Sequence, residues 1–209
     1  MTDALDEILE RSRRLGFLGP GSVRVHRRHA AGFARGVPAP GRFLDLGSGG
    51  GVPGLVLALL WPQSTGVLLD AGERRCAFLQ EAVRTLEIHE RVRVVRGRAE
   101  EVGRHAELRA AFDLVVARSF GPPAVTAECG APFLRVGGHL VVSEPPGETA
   151  GGDGGERTTR WPAEGLAVLG LAPDRTWHEP YHYRSLVQER LCPDRYPRRV
   201  GVPAKRPLF

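Results

Sequence analysis

Residues 43–54, FLDLGSGGGVPG, constrain this chain more than any other stretch. A short apolar run carries Asp45 near its end, and Gly47, Gly49 and Gly51 follow. Glycines there let the backbone turn sharply and come close to a ligand with no Cβ in the way. Pro53 then stands where a helix begins, and a helix start presents free N–H groups. Strand, glycine turn and buried helix together open a fold built on a parallel sheet.

The rest of the chain continues that pattern. Strands are predicted over 42–46, 66–69 (ending in Asp70), 92–95, 112–117 and 139–142. Between them the spacing predicts helices over 54–60, stopped by Pro62, over 73–86 and over 122–134, the last followed by a turn at Gly137-Gly138. In the second of these, Phe78, Leu79, Val83 and Leu86 share one face. Strands alternating with helices imply βαβ units with right-handed crossovers. Ahead of them, helices are expected over 4–15 and, rich in arginine, over 23–37. After them comes a Gly-rich flexible loop over 147–156. Strands over 166–171 and 185–191 would complete the sheet as an antiparallel hairpin, and 193–209 reads as basic and irregular. The expected class is therefore α/β, a mostly parallel doubly wound sheet with N-terminal helices. Its divisions are a helical extension over 1–41 and a main domain over 42–209 with a basic tail, together one compact unit.

The formal net charge is +5, and it is unevenly placed. From Arg184 to Phe209 there are seven cations and two anions. From Arg11 to Arg42 there are eight arginines and no Asp or Glu. A basic arm at each end suits a polyanion such as RNA, and equally a solvated surface. Cys76, Cys129 and Cys192 are far apart and odd in number, with no C-x-x-C, which excludes a disulfide framework and a zinc site and fits a reducing cytoplasm. Residues 1–10 are acidic and do not read as a leader. The longest apolar run, 52–61, is too short to span a bilayer.

Two ligand classes use a strand–glycine–helix turn. Gly49, Gly51 and Gly54 satisfy G-x-G-x-x-G, and Asp70, 19 residues past Gly51, is placed to grip ribose hydroxyls in either class. Asp45 separates them: a carboxylate ahead of the glycines repels a pyrophosphate but suits a cationic sulfonium amino acid. The run D-x-G-x-G-x-G thus favours S-adenosylmethionine over a nicotinamide dinucleotide.

With those residues in view, the chain resembles the bacterial 16S rRNA guanine-N7 methyltransferases, the glucose-inhibited division protein B family. Four stretches carry the likeness: FLDLGSGGGVPG with its Val-Pro-Gly ending, LLDAGERRCAFLQEAVRTLEI (68–88), GRAEEV with FDLVVARSF (97–120), and RYPRRVGVPAKRPL (195–208). The resemblance implies a Rossmann-like class I S-adenosylmethionine-dependent methyltransferase acting on 16S rRNA or the small ribosomal subunit. Gly47 and Val52 would line the methionine part of the cofactor, Asp70 would bind ribose, and Ala99 and Glu100 would flank adenine. Arg118 would sit at cofactor and target base, and Arg198, Arg199 and Lys205 would meet RNA phosphate. The chain departs from the family in three places. Its N-terminal part is shorter, Gly32-Phe33 follow Arg28-His29 where an acid and a hydroxyl are usual, and Ser143-Glu144-Pro145-Pro146 replaces the lysine after the fifth strand.

Guanine N7 carries a lone pair and no proton, so methylation there needs no general base. An amine or hydroxyl acceptor needs one, and His29 or Glu144 would serve. The candidates for a catalytic role are thus Arg118, Glu144 and His29. A small-molecule methyltransferase and a non-catalytic RNA-binding module are the competing readings.

Overall fold

A computed structural model of the chain describes residues 2–145 and 160–209. The loop expected over 147–156 lies outside them. Two helices lead, α1 (Thr2–Arg14) and α2 (Val23–Gly32), the second followed by a 3-10 turn over Phe33–Arg35. Then come β1 (Arg42–Leu46), α3 (Gly54–Leu60), β2 (Thr65–Asp70), α4 (Glu73–Thr85), β3 (Val92–Arg96), α5 (Ala99–Val102), β4 (Phe112–Ala117) and α6 (Pro123–Gly130). After a 3-10 turn over Ala131–Phe133 follow β5 (Leu134–Glu144), α7 (Ala163–Ala167), β6 (Leu171–Trp177), β7 (His182–Gln188) and α8 (Val202–Lys205).

The strands form one sheet in the order β3-β2-β1-β4-β5-β7-β6. β1 to β5 run parallel, and β7 is antiparallel to both its neighbours. The expected doubly wound sheet with a terminal antiparallel hairpin is what forms. Its central strands are covered on both faces, so they read as unbroken apolar runs. Phe43, Leu68, Leu114, Val116 and Val141 face one core, which α1 to α4 close. Leu44, Leu46, Val67, Leu69, Val115 and Val142 face the other, closed by α5, α6 and α7. The N-terminal helices are part of the first core: Leu5, Leu9, Ala30 and Phe33 are buried in it.

Four elements differ from expectation. The second helix ends at Gly32 and not at 37, passing directly into the 3-10 turn, and Gly32 is pressed against Tyr183 and Pro180, where no larger residue fits. The helix after β4 stops at Gly130. Pro132 cannot continue it, and the chain passes through a 3-10 turn straight into β5. Gly137 and Gly138 lie within that strand, as an irregularity facing Asp113, with Gly137 at φ +79. In place of the strand expected over 166–171, the chain ends the short helix α7 and turns, with Leu166 and Leu169 both buried, and only Leu171 enters a strand. Gly170 at φ +78 then turns the chain into β6, an edge strand that tolerates Pro173.

The basic tail is folded onto the domain. Arg109 donates to the carbonyls of Gly103, Tyr196, Cys192 and Pro193. Arg198 forks onto Glu128 of α6, with Nη2–Oε2 at 2.6 Å and Nε–Oε1 at 2.9 Å, and its backbone N–H donates to the same carboxylate. The Glu128 side chain is 1% exposed. Removing one partner of a buried pair leaves the other charge uncompensated. Arg198→Ala should therefore cost about 3 kcal/mol in urea unfolding. Arg199→Ala, at an exposed position without a partner among the described residues, should stay within about 0.5 kcal/mol of the parent.

Candidate functional site

The parallel register brings the carboxyl ends of β1, β2, β4 and β5 to one edge, pairing Asp45 with Leu68 on one side and Val116 on the other. Ligands of open α/β sheets bind at that edge. Asp45, Asp70, Arg118 and Glu144 all reach it.

The glycine turn is held by the two aspartates. Asp45 Oδ2 accepts from Gly54 N at 2.9 Å, at the start of α3. Asp70 Oδ2 accepts from Gly49 N at 2.9 Å, and its Oδ1 accepts from Gly72 N at 2.7 Å and Arg75 Nε at 2.8 Å. Gly47, Gly49 and Gly51 have φ of +75, +52 and +93, a left-handed region costly for other residues. A Cβ on Gly47 would lie 2.6 Å from the ring of Phe120, which packs over the turn.

Asp45 is fully buried, and its Oδ1 has no hydrogen-bond partner. Burial pushes its carboxyl up to about 7, against the Gly54 N–H that favours the charge. An orphaned, buried carboxylate oxygen beside a glycine turn is suited to a ligand that brings positive charge. Asp70 has fewer lone pairs to spare, its Oδ1 taken by Gly72 and Arg75 and its Oδ2 accepting one bond, from Gly49. Of the residues expected to hold a cofactor, Gly47 and Asp70 are brought to the same turn, and Val52 is buried where the turn leads into α3. Ala99 and Glu100 start α5, next to the Gly97 N–H that bonds the Asp70 carbonyl. The Glu100 carboxylate itself turns to the tail, accepting from Gly201 N at 3.1 Å and Arg98 Nη2 at 3.3 Å.

Arg118 follows the last residue of β4, and Ser119 after it has φ +54, backbone strain at the head of the site. The guanidinium donates to His26 Nδ1 at 2.8 Å. Burial lowers its pKa, and Asp45, Tyr183 and Tyr181 oppose that. His29 lies on the same helix as His26 and packs on Tyr181, ring centroids 4.5 Å apart. Its Nε2 is buried without a partner. Burial, then Arg118 and His26, bring its imidazole down to about 4. An imidazole of such low basicity is poorly suited to taking a proton from an amine or hydroxyl near neutral pH. Glu144 is also committed: Arg160, Trp161 Nε1 and Arg184 surround its carboxylate. Of the three catalytic candidates only Arg118 presents its charge to Asp45. Of the tail residues, Arg198 is taken by Glu128, while Arg199 and Lys205 remain exposed. Sequence reasoning did not find His26 or Phe120. Phe120 stood in the quoted run FDLVVARSF, and His26 had only its spacing of three from His29 as a signal.

A family model described as rRNA small subunit methyltransferase G matches residues 31–146. The ribosomal RNA small subunit methyltransferase G of Moorella thermoacetica is 35% identical over 179 residues, covering 82% of this chain and 71% of its own. The chain belongs to the rRNA small subunit methyltransferase G family. The relative from Rubrobacter xylanophilus is 37% identical, covering 81% of this chain and 66% of its own length. Members of the family thus run longer than the part this chain matches. Among solved structures, an O-methyltransferase from Bacillus cereus in complex with SAH superposes with a TM-score of 0.63 at 14% identity, covering 88% of this chain and 90% of that one. A putative O-methyltransferase from Klebsiella pneumoniae gives 0.63 at 15% over 90% of both. At such identities the likeness establishes the fold alone, the Rossmann-like class I S-adenosylmethionine-dependent methyltransferase fold.

The Asp45 shift has a testable sign. Its folded pKa lies above that of the unfolded chain, so between about pH 4 and 7 the fold retains a proton that the unfolded chain releases, and this group's contribution to stability falls as pH rises through that window. Asp45→Asn keeps an acceptor for Gly54 N and cannot ionise. In urea unfolding at a series of pH values, its stability relative to the parent should climb from pH 4 to 7. A flat difference would contradict the assignment.

Proposed function

We propose that the chain transfers the methyl group of S-adenosylmethionine to N7 of a guanine in 16S rRNA. The observation that carries the reading is the convergence at one sheet edge of the glycine turn, the orphaned Asp45 oxygen and Arg118, in a chain of this family. Gly47 and Val52 would hold the methionine part of the cofactor, Asp70 the ribose, and the start of α5 at Ala99 and Glu100 the adenine. When bound, the cofactor supplies both the electrophilic methyl group and the leaving group. The protein's share is alignment. An acceptor atom that has no proton to lose fits the two candidate bases as they stand: burial makes His29 weakly basic, and Glu144 is enclosed by cations.

RNA as partner is supported by the cations that the fold leaves exposed. Arg24 and Arg28 project from the outer face of α2, four residues apart and without partners among the described residues, and Arg199 and Lys205 stand on the tail. Contacts of this kind with phosphate release counterions and make affinity salt-dependent. The proposed surroundings are cytoplasmic, where ribosomes are assembled. Among the described residues no helix is long and apolar enough to cross a membrane.

The test is to incubate the protein with methyl-labelled S-adenosylmethionine and small-subunit rRNA from a strain lacking the modification, then digest the RNA and identify nucleosides by mass spectrometry. Labelled N7-methylguanosine is expected. Label in another nucleoside would move the acceptor. Cofactor binding by calorimetry with no labelled RNA would turn the assignment to a small-molecule acceptor, and RNA binding with no cofactor binding would leave a non-catalytic module. Replacing both Arg24 and Arg28 by alanine should reduce the slope of log affinity against log salt by about 2.

A further inference from the structure

We propose that His26 is a positioning residue for Arg118, holding its guanidinium at the head of the site through a neutral imidazole protonated at Nε2. The consequence for rate rests on the methyltransferase reading; the contact itself does not. Arg118 Nη2 lies 2.8 Å from His26 Nδ1, and His26 Nε2 lies 3.1 Å from the carbonyl oxygen of Gly19. A guanidinium only donates and a carbonyl only accepts. Both contacts are satisfied by a single state of the ring, with the proton on Nε2 and the lone pair on Nδ1. His26 is 3% exposed, so water does not substitute for either partner. Burial and then Arg118 hold its imidazole below the ordinary range, and Gly19 opposes them. The charged or titratable groups that face it are Arg118 from the end of β4 and His29 one turn along α2, itself held neutral.

The choice of partner matters chemically. A carboxylate in this position would neutralise Arg118 and hold it in a fixed ion pair. A neutral acceptor restricts the side chain and leaves its charge in place. Among the described residues, His26 is the one protein acceptor for the Arg118 guanidinium, which leaves most of its five N–H groups directed elsewhere. The same ring ties the site to the segment joining α1 and α2, through Gly19. The N-terminal helices thereby become part of the site's alignment and not only a cover for the core.

Two isosteric variants separate the bonds. An asparagine oxygen falls near the Nδ1 position, so His26→Asn keeps an acceptor for Arg118 and loses Gly19. A glutamine amide falls near Nε2, so His26→Gln keeps Gly19 and loses Arg118. The expected kcat loss for His26→Gln is about tenfold or more, the effect of removing a hydrogen bond to a charged group, with His26→Asn remaining within about threefold of the parent. Both are assayed well below their thermal midpoints. Independently, ring-nitrogen NMR of the ¹⁵N-histidine-labelled protein without cofactor should place the His26 proton on Nε2, with the Nδ1 resonance moving in Arg118→Ala. A proton on Nδ1 overturns the contact. Equal kcat losses in the two variants, tracking their thermal midpoints, overturn the positioning role. If the parent methylates no RNA at all, the function assignment fails, and the NMR measurement still decides the contact.

Discussion

The glycine turn after β1 exists because two carboxylates hold it from below. Asp45 binds the N–H at its far end, where α3 begins, and Asp70 binds the N–H of Gly49 in its middle. Each aspartate is the last or next-to-last residue of a central parallel strand, so the position of the turn is set by the register of β1 on β2. The remaining arrangement follows from that. α3 leaves the turn at an angle that buries Leu55 and Leu57 against the sheet, Phe120 closes over Gly47, and Arg118 is delivered to the same edge by the next strand. Any slip of register would separate the two carboxylates from the backbone groups that they satisfy. Buried acceptors without donors are costly, so the turn and the sheet specify each other.

Arginine does structural work throughout this chain, which changes what its net charge means. Arg109 satisfies three carbonyls of the loop leading into the tail and that of Gly103, Arg91 three carbonyls around the end of α3, and Arg198 the buried Glu128. A guanidinium offers five donors in a fixed fork, which suits it to gathering the unpaired carbonyls of irregular chain. The charge that remains for a partner is the part that no carbonyl or carboxylate has claimed, such as Arg24 and Arg28 on α2 and Arg199 and Lys205 on the tail. Counting cations along the sequence does not distinguish the two uses.

That distinction marks how far the sequence was legible. The turn was readable because its requirement is local: positive φ at Gly47, Gly49 and Gly51 shows as glycine wherever it occurs. The parallel strands were readable from their apolar runs, such as Val67–Leu69, Leu114–Ala117 and Leu140–Val142, which pack on both faces of the sheet, although β3 at its edge is interrupted by Arg93. The edge strand β6 was not, since LAPDRTW faces solvent for most of its length and carries no run to recognise, while Leu166 and Leu169 before it were apolar for a helix. At the site, Asp45, Asp70 and Arg118 could be named from motif position. The roles of Arg198 and Glu100 could not, because their partners Glu128 and Gly201 are 70 and 101 residues away in sequence. His26 was invisible for a different reason: a lone histidine has no pattern, and its meaning comes entirely from an arginine 92 residues further on.

The charge balance at the sheet edge explains why this particular set can face a cationic cofactor. Arg118, His26, His29 and Asp45 are packed into a region with little water. If both histidines were charged, three cations would face one carboxylate, and a sulfonium would be repelled. Burial and the nearby Arg118 lower both imidazoles, His29 to about 4, so of these four groups one is a fixed cation and one is a carboxyl pushed up to about 7. A sulfonium arriving beside that carboxyl favours its ionised form, and binding then releases a proton wherever Asp45 was still protonated. A sulfonium cofactor held here would supply a methyl group and lose its positive charge on transfer, while Asp45 and Arg118 would stay where they are. Fixed groups of opposite sign need no reorganisation as charge moves, which is the contribution that alignment without proton transfer requires.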